Sequence, residues 1–182
     1  MAHDRGPNKI RLENLNPGTR DWMLTKTRID PTTRYRSPAI EGYASRTSVS
    51  AGQYLTFHVS TNPVSDFTID IYRMGFYGGK AGRLMRHMGP FKGRVQPDPE
   101  VGPKRERLCQ WEPCAQLLIP EEWVSGVYLA KLTELTEGIQ SYIIFIVRDQ
   151  REASYLFQCS DNTWQAYNRW PSQFSLYDDG KN

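Results

Sequence analysis

Histidine and cysteine are the scarce residues of this chain, three of each in 182. Cys109 and Cys114 enclose four residues, wider than the two-residue spacing of a zinc knuckle, and no neighbouring His completes a ligand set. An odd, sparse cysteine set is also a poor framework for a disulfide-stapled secreted domain. A bridge across the 111–113 turn is the alternative, and a reducing compartment favours free thiols. Cys159 closes an apolar stretch and reads as packing. His58 and His87 have no second His or acid at ligand spacing, which predicts surface or loop histidines. Long apolar runs are missing too: the best candidate, 143–147, lies between Gln140 and Arg148 and falls far short of the roughly 20 residues a spanning helix needs. The opening residues His3, Asp4 and Arg5 lack the apolar core of a secretory signal, so a cytoplasmic address without a membrane partner is expected. No charge sign dominates: 23 Lys and Arg face 20 Asp and Glu, for a net +3. Only Lys104, Arg105 and Arg107 cluster, which predicts a solvated loop and no nucleic-acid partner. No Gly-x-Ser-x-Gly elbow supports a serine hydrolase. Gly75, Gly78, Gly79 and Gly82 match neither a Walker loop nor a dinucleotide fingerprint, and predict a strand ending in a tight turn with positive φ angles.

What is present is a globular composition, with ten tyrosines and five tryptophans, enough for one core plus an appended piece. Residues 1–37 are polar and carry Pro7, Pro17 and Pro31, which predicts an arm laid on a domain through Trp22, Met23 and Leu24. Residues 38–150 change to short runs of period two between Gly, Pro, Asn and Asp. Leu55, Phe57 and Val59 alternate with Tyr54, Thr56 and His58, and Phe67, Ile69 and Ile71 repeat the pattern. Ala115, Leu117 and Ile119 make a further run. Segments 127–132 and 139–147 are joined by Thr136, Glu137 and Gly138, which suits a hairpin. Five or more such strands predict a mainly β domain, a sandwich of the immunoglobulin or fibronectin kind. The Pro-, Gly- and charge-rich stretch 89–112 predicts an extended loop or edge excursion.

Residues 151–182 behave differently. Tyr155, Leu156 and Phe157 open what reads as a short buried strand over 155–160. Asp161, Asn162 and Thr163 supply helix-start chemistry, and an aromatic helix fits 164–168. Phe174, Leu176 and Tyr177 follow Trp170 and Pro171, and residues 178–182 are turn formers. A strand, a loop and one helical turn cannot bury their own apolar faces, so the segment reads as the first unit of an α/β layer that it does not complete. Such a unit is expected to move or to expose its apolar side chains.

Four stretches carry a resemblance when taken together and in order: IEGYASRTSV at 40–49, YRMGFYGGKAGR at 72–83, SGVYLAKLT at 125–133 with QSYIIFIVRD at 140–149, and FQCSDNTWQAYNRW at 157–170. From about Leu12 onward the chain resembles the N-terminal part of the large (beta) subunit of N,N-dimethylformamidase and its relatives. The resemblance implies a β-sandwich before a glutamine amidotransferase-like α/β domain. It also implies hydrolysis of the C–N bond of a small linear amide and a mononuclear iron held by two tyrosines and a glutamate. Hard anionic donors of that kind suit Fe(III), which would act as a Lewis acid or lower the pKa of a bound water. By match to the family's aromatic helix, Tyr167 is the candidate iron ligand, with Tyr177 the runner-up and ring packing the alternative role for Tyr167. The family's second tyrosine and its His-Asp-Glu segment have no counterpart in these residues. This chain alone is therefore expected to hold iron weakly or not at all and to be inactive, unless a downstream chain completes the site. The competing reading is a non-catalytic sandwich that binds a partner or self-associates through aromatics such as Tyr43, Tyr54, Tyr77 and Trp111.

Overall fold

The computed structural model describes residues 8–153, 155–172 and 174–178. The readings of residues 3–5 and of the turn at 179–182 lie outside them. In chain order the elements are α1 (Lys9–Glu13), β1 (Glu41–Ala44), β2 (Ser48–Ser50), β3 (Tyr54–Ser60), β4 (Phe67–Met74), a 3-10 turn (Tyr77–Gly79), β5 (Gly82–Phe91), β6 (Ala115–Leu118), β7 (Gly126–Glu134), β8 (Gln140–Arg148) and α2 (Asp161–Tyr167). The strands make a three-stranded sheet, β1-β3-β6, and a five-stranded sheet, β2-β8-β7-β4-β5. Every pairing is antiparallel except that of β2 with β8.

The period-two pattern explains why the sheets stack. Leu55, Phe57 and Val59 of β3 point inward and are buried, as are Ile69 and Ile71 of β4 and Leu132 of β7. Phe57 meets Phe145 across the gap edge-on, with centroids 6.1 Å apart. One apolar core thus joins both sheets into a β-sandwich. The hairpin expected between β7 and β8 is closed by a buried carboxylate. Glu134 Oε1 accepts the N–H of Glu137 at 2.8 Å and of Ile139 at 2.9 Å, and Oε2 accepts the N–H of Thr136 at 2.8 Å. Burial opposes that charge, but these amides and the Ser65 hydroxyl outweigh it and hold the carboxyl below its ordinary range.

Residues 21–26 cross the outer face of the five-stranded sheet. Lys131 Nζ donates to the carbonyls of Asp21 (2.7 Å) and Met23 (3.0 Å), and the Tyr142 hydroxyl donates to that of Trp22. Trp22 packs where Gly82 has no side chain: a Cβ there would come within 2.4 Å of the indole.

Two expectations, the exposure of Tyr77 and that of Trp111, are corrected, and one strand escapes the sequence pattern. The longest strand, β5, was not read as one. It is the edge of its sheet, and Arg83, Arg86 and His87 leave it no clean alternation, so backbone pairing with β4 defines it. Its last residues, 89–91, fall in the stretch 89–112 read as an extended loop or edge excursion, and they lie on the sheet edge. Tyr77 and Trp111, named as exposed aromatics, are 2% and 4% exposed. The turn after β4, with Gly78 at φ 64° and Gly79 at φ 81°, folds Tyr77 inward. There its hydroxyl donates to Glu13 and accepts from Arg73, each at 2.8 Å, and burial pushes its pKa up to about 12. Trp111 is covered because its indole N–H donates to the Pro97 carbonyl at 2.7 Å and its ring packs between Tyr43 and Trp170.

Candidate functional site

After β8 the chain leaves the sandwich. No strand forms over 155–160, and Tyr155, Leu156 and Phe157 are 93%, 92% and 83% exposed, which corrects the buried-strand reading. A strand needs a neighbour to take its N–H and C=O groups and a layer to cover its apolar face, and among the described residues neither lies beside this segment. Cys159 is only partly buried. The expected helix does form, one turn earlier than its aromatic residues suggested, as α2, with Asp161 in the first turn where a negative charge suits the helix dipole.

The strap after α2 returns along it. Leu176 donates its N–H to the Ala166 carbonyl at 3.1 Å, and this brings the two candidate ligands together: the rings of Tyr167 and Tyr177 stack with centroids 5.1 Å apart, inclined by 30°. Both are well exposed, at 63% and 67%.

Four side chains to which the sequence assigns no anchoring role, Arg36, Glu41, Arg105 and Arg107, hold this strap on the sandwich. Arg105 donates to the carbonyls of Ser175 (3.2 Å) and Leu176 (2.6 Å), and Arg107 to those of Phe174 (2.7 Å) and Ser172 (3.2 Å). Their clustering with Lys104 was the available signal, and it was assigned to a solvated loop. Glu41, buried at the start of β1, accepts from Arg36 Nε at 2.9 Å and from the Trp170 indole N–H at 2.9 Å, while the Arg36 guanidinium sits 5.5 Å from the Trp170 ring centroid. Nothing local in the sequence links Glu41 to Trp170, 129 residues away. Beside this clasp, His58 stacks on Tyr43 at 4.7 Å and 6°, and its Nδ1 lies 2.7 Å from the Trp111 carbonyl. Burial raises the Tyr43 phenol above its ordinary range although the Trp111 N–H donates to it. His87 lies on the outer edge, 2.5 Å from Asp70.

Iron requires more donors than converge here. Two phenols make two hard anionic ligands at most, and among the described residues no group of three or more His, Cys, Asp or Glu side chains could hold a metal ion. The described residues that converge here do not by themselves make up a mononuclear iron site.

The fold and the strap define a class: a two-sheet β-sandwich that carries an aromatic helix and loop clamped to one end. The chain belongs to the N,N-dimethylformamidase beta subunit-like family, whose C-terminal model matches residues 68–182. That match starts inside β4 and takes in the rest of the sandwich from there, α2 and the strap; where the sequence reading placed the chain in the family's N-terminal part, the matching model is the one described as C-terminal. No curated protein matches the chain. Among solved structures, the PKD domain of an M14-like peptidase from Thermoplasmatales archaeon SCGC AB-540-F20 is similar over 59% of this chain and 89% of that one, at 12% identity and a TM-score of 0.33. No helix among the described residues is long and apolar enough to cross a membrane.

Proposed function

We propose that this chain is the sandwich platform of a cytoplasmic, iron-dependent amidohydrolase of the dimethylformamidase kind, acting on the C–N bond of small linear amides. In this reading residues 151–182, with α2, belong to a glutamine amidotransferase-like α/β layer, and the sandwich is of the immunoglobulin or fibronectin type. The observation that carries the proposal is the family match over 68–182, which runs through Tyr167 and Tyr177. The paired phenols supply part of a hard donor set, and further ligands come from polypeptide outside the residues described. The chain by itself is inactive. The family's description as a beta subunit supports a companion chain, and the exposed 155–157 run supports its docking there.

The test is to assay dimethylamine release from N,N-dimethylformamide, together with iron content, for the chain alone and after co-expression with the polypeptide encoded next to it. Activity and iron are expected only in the mixture. Hydrolysis by the chain alone would overturn the need for further ligands, and a stable complex with neither iron nor activity would favour a non-catalytic assembly module.

A further inference from the structure

A cleft of about 750 Å³ opens between β1, the loop at 105–111 and the side of the strap at Gln165, Asn168, Trp170 and Leu176, and neither Tyr167 nor Tyr177 belongs to its lining. Its volume falls in the roughly 300–1,000 Å³ range of small-molecule sites. Three buried side-chain polar atoms lack a hydrogen-bond partner among the described residues, Ser37 Oγ, Ser141 Oγ and Arg107 Nε, and all three belong to residues that line this one cleft. Each can donate a hydrogen bond, and buried donors without acceptors are disfavoured.

The charges point the same way. Arg105 and Arg107 hold neutral backbone carbonyls and join no ion pair among the described residues. The carboxylates of the lining are engaged elsewhere: Glu41 with Arg36 and Trp170, and Glu106 with the Lys104 N–H of its own turn at 2.8 Å. Tyr43, Trp111 and Trp170, with successive centroids 5.5 Å and 5.8 Å apart and ring planes inclined by 48° and 76°, add apolar ring surface to the lining.

We propose that this cleft binds a small organic carboxylate with an apolar body. A carboxylate only accepts hydrogen bonds, so its two oxygens suit donors that lie just beneath the cleft surface and turn outward to meet them, and its charge complements the Arg105 and Arg107 guanidinium groups, which join no ion pair among the described residues. The aromatic rings take the apolar part. The inference does not depend on the amidase reading.

The test is calorimetric titration of the full chain at low salt with benzoate, with benzamide as the neutral isostere and with acetate as the ring-free acid. Benzoate is expected to bind one to one and about tenfold more tightly than either control, with the preference over benzamide shrinking as salt is added. Ser141→Ala and Arg107→Lys are each expected to weaken benzoate by about threefold or more, since each alters a donor to the anion. Ser141→Ala should leave thermal stability unchanged or raised, because it removes an unsatisfied hydroxyl. If Arg107→Lys loosens the strap by proteolysis, Ser141→Ala alone decides. Equal affinity for benzoate and benzamide, unchanged benzoate affinity in Ser141→Ala, or no saturable benzoate binding in the wild type would overturn the proposal.

Discussion

The inner face of the sandwich and the segment 155–157 are equally apolar, yet Ile69 and Phe57 are fully buried while Leu156 is 92% exposed. Composition does not separate them; the presence of a facing layer does. The strands of the core have paired neighbours and an opposing sheet, so their inward side chains leave water together. The 155–157 run has no such layer among the described residues, and its backbone stays irregular. The strap lies between these extremes. It has little regular structure of its own, yet Trp170 and two arginine side chains tie it down at specific atoms.

The sharpest way to break this comparison is to remove matched aromatic groups on its two sides. Phe145→Ala should cost about 3–5 kcal/mol, read from urea unfolding, because it leaves a cavity where Phe57 and Tyr128 pack. Glu134→Gln should cost about 1–3 kcal/mol, since three hairpin amides lose a charged acceptor. The carboxyl titrates below its ordinary 4.5 in the folded chain, so its contribution is complete above that value and is lost as pH falls through the lower folded value. The gap between wild type and Glu134→Gln should therefore close in acid, and a pH-independent gap would contradict the hydrogen-bonded carboxylate. Trp170→Ala should shift the unfolding of the sandwich by about 1 kcal/mol or less, while residues 169–178 become sensitive to protease, because it removes one hydrogen bond and one stacking face from the clasp. Phe157→Ser should change stability by less than about 0.5 kcal/mol, and its visible effect should be reduced self-association or loss of a companion's grip in light scattering. A large destabilisation by Phe157→Ser would mean that this side chain is buried in solution.

Much of the sandwich was legible because its strands obey the period-two rule in their own side chains. Leu55, Phe57 and Val59 announce β3, and the 136–138 turn announces the β7–β8 hairpin. The edge strand β5 was not legible, because its identity lies in hydrogen bonds to β4 while its side chains meet solvent. Short β1 and β2 gave too few residues for a period to show. At the candidate site the aromatic helix was readable from its residues, but the stacking of Tyr167 on Tyr177 was not, since it depends on the strap folding back to the Ala166 carbonyl. The anchoring roles of Arg105 and Arg107 were hidden for a similar reason: their partners are backbone carbonyls, which carry no residue signature.

By itself the sequence determined the alternation that makes a two-sheet core, the polar arm before it, the helix-start residues of α2 and the motifs of the family. Those features are local, set by side-chain spacing and by the backbone angles that glycine and turn residues allow. Only the tertiary structure decided which tyrosines meet, that Glu41 receives Trp170, and that three unpaired polar atoms share the lining of one cleft. Such meetings join residues from ten to more than a hundred positions apart, and their free energy exists only once the chain has folded back and excluded water around them.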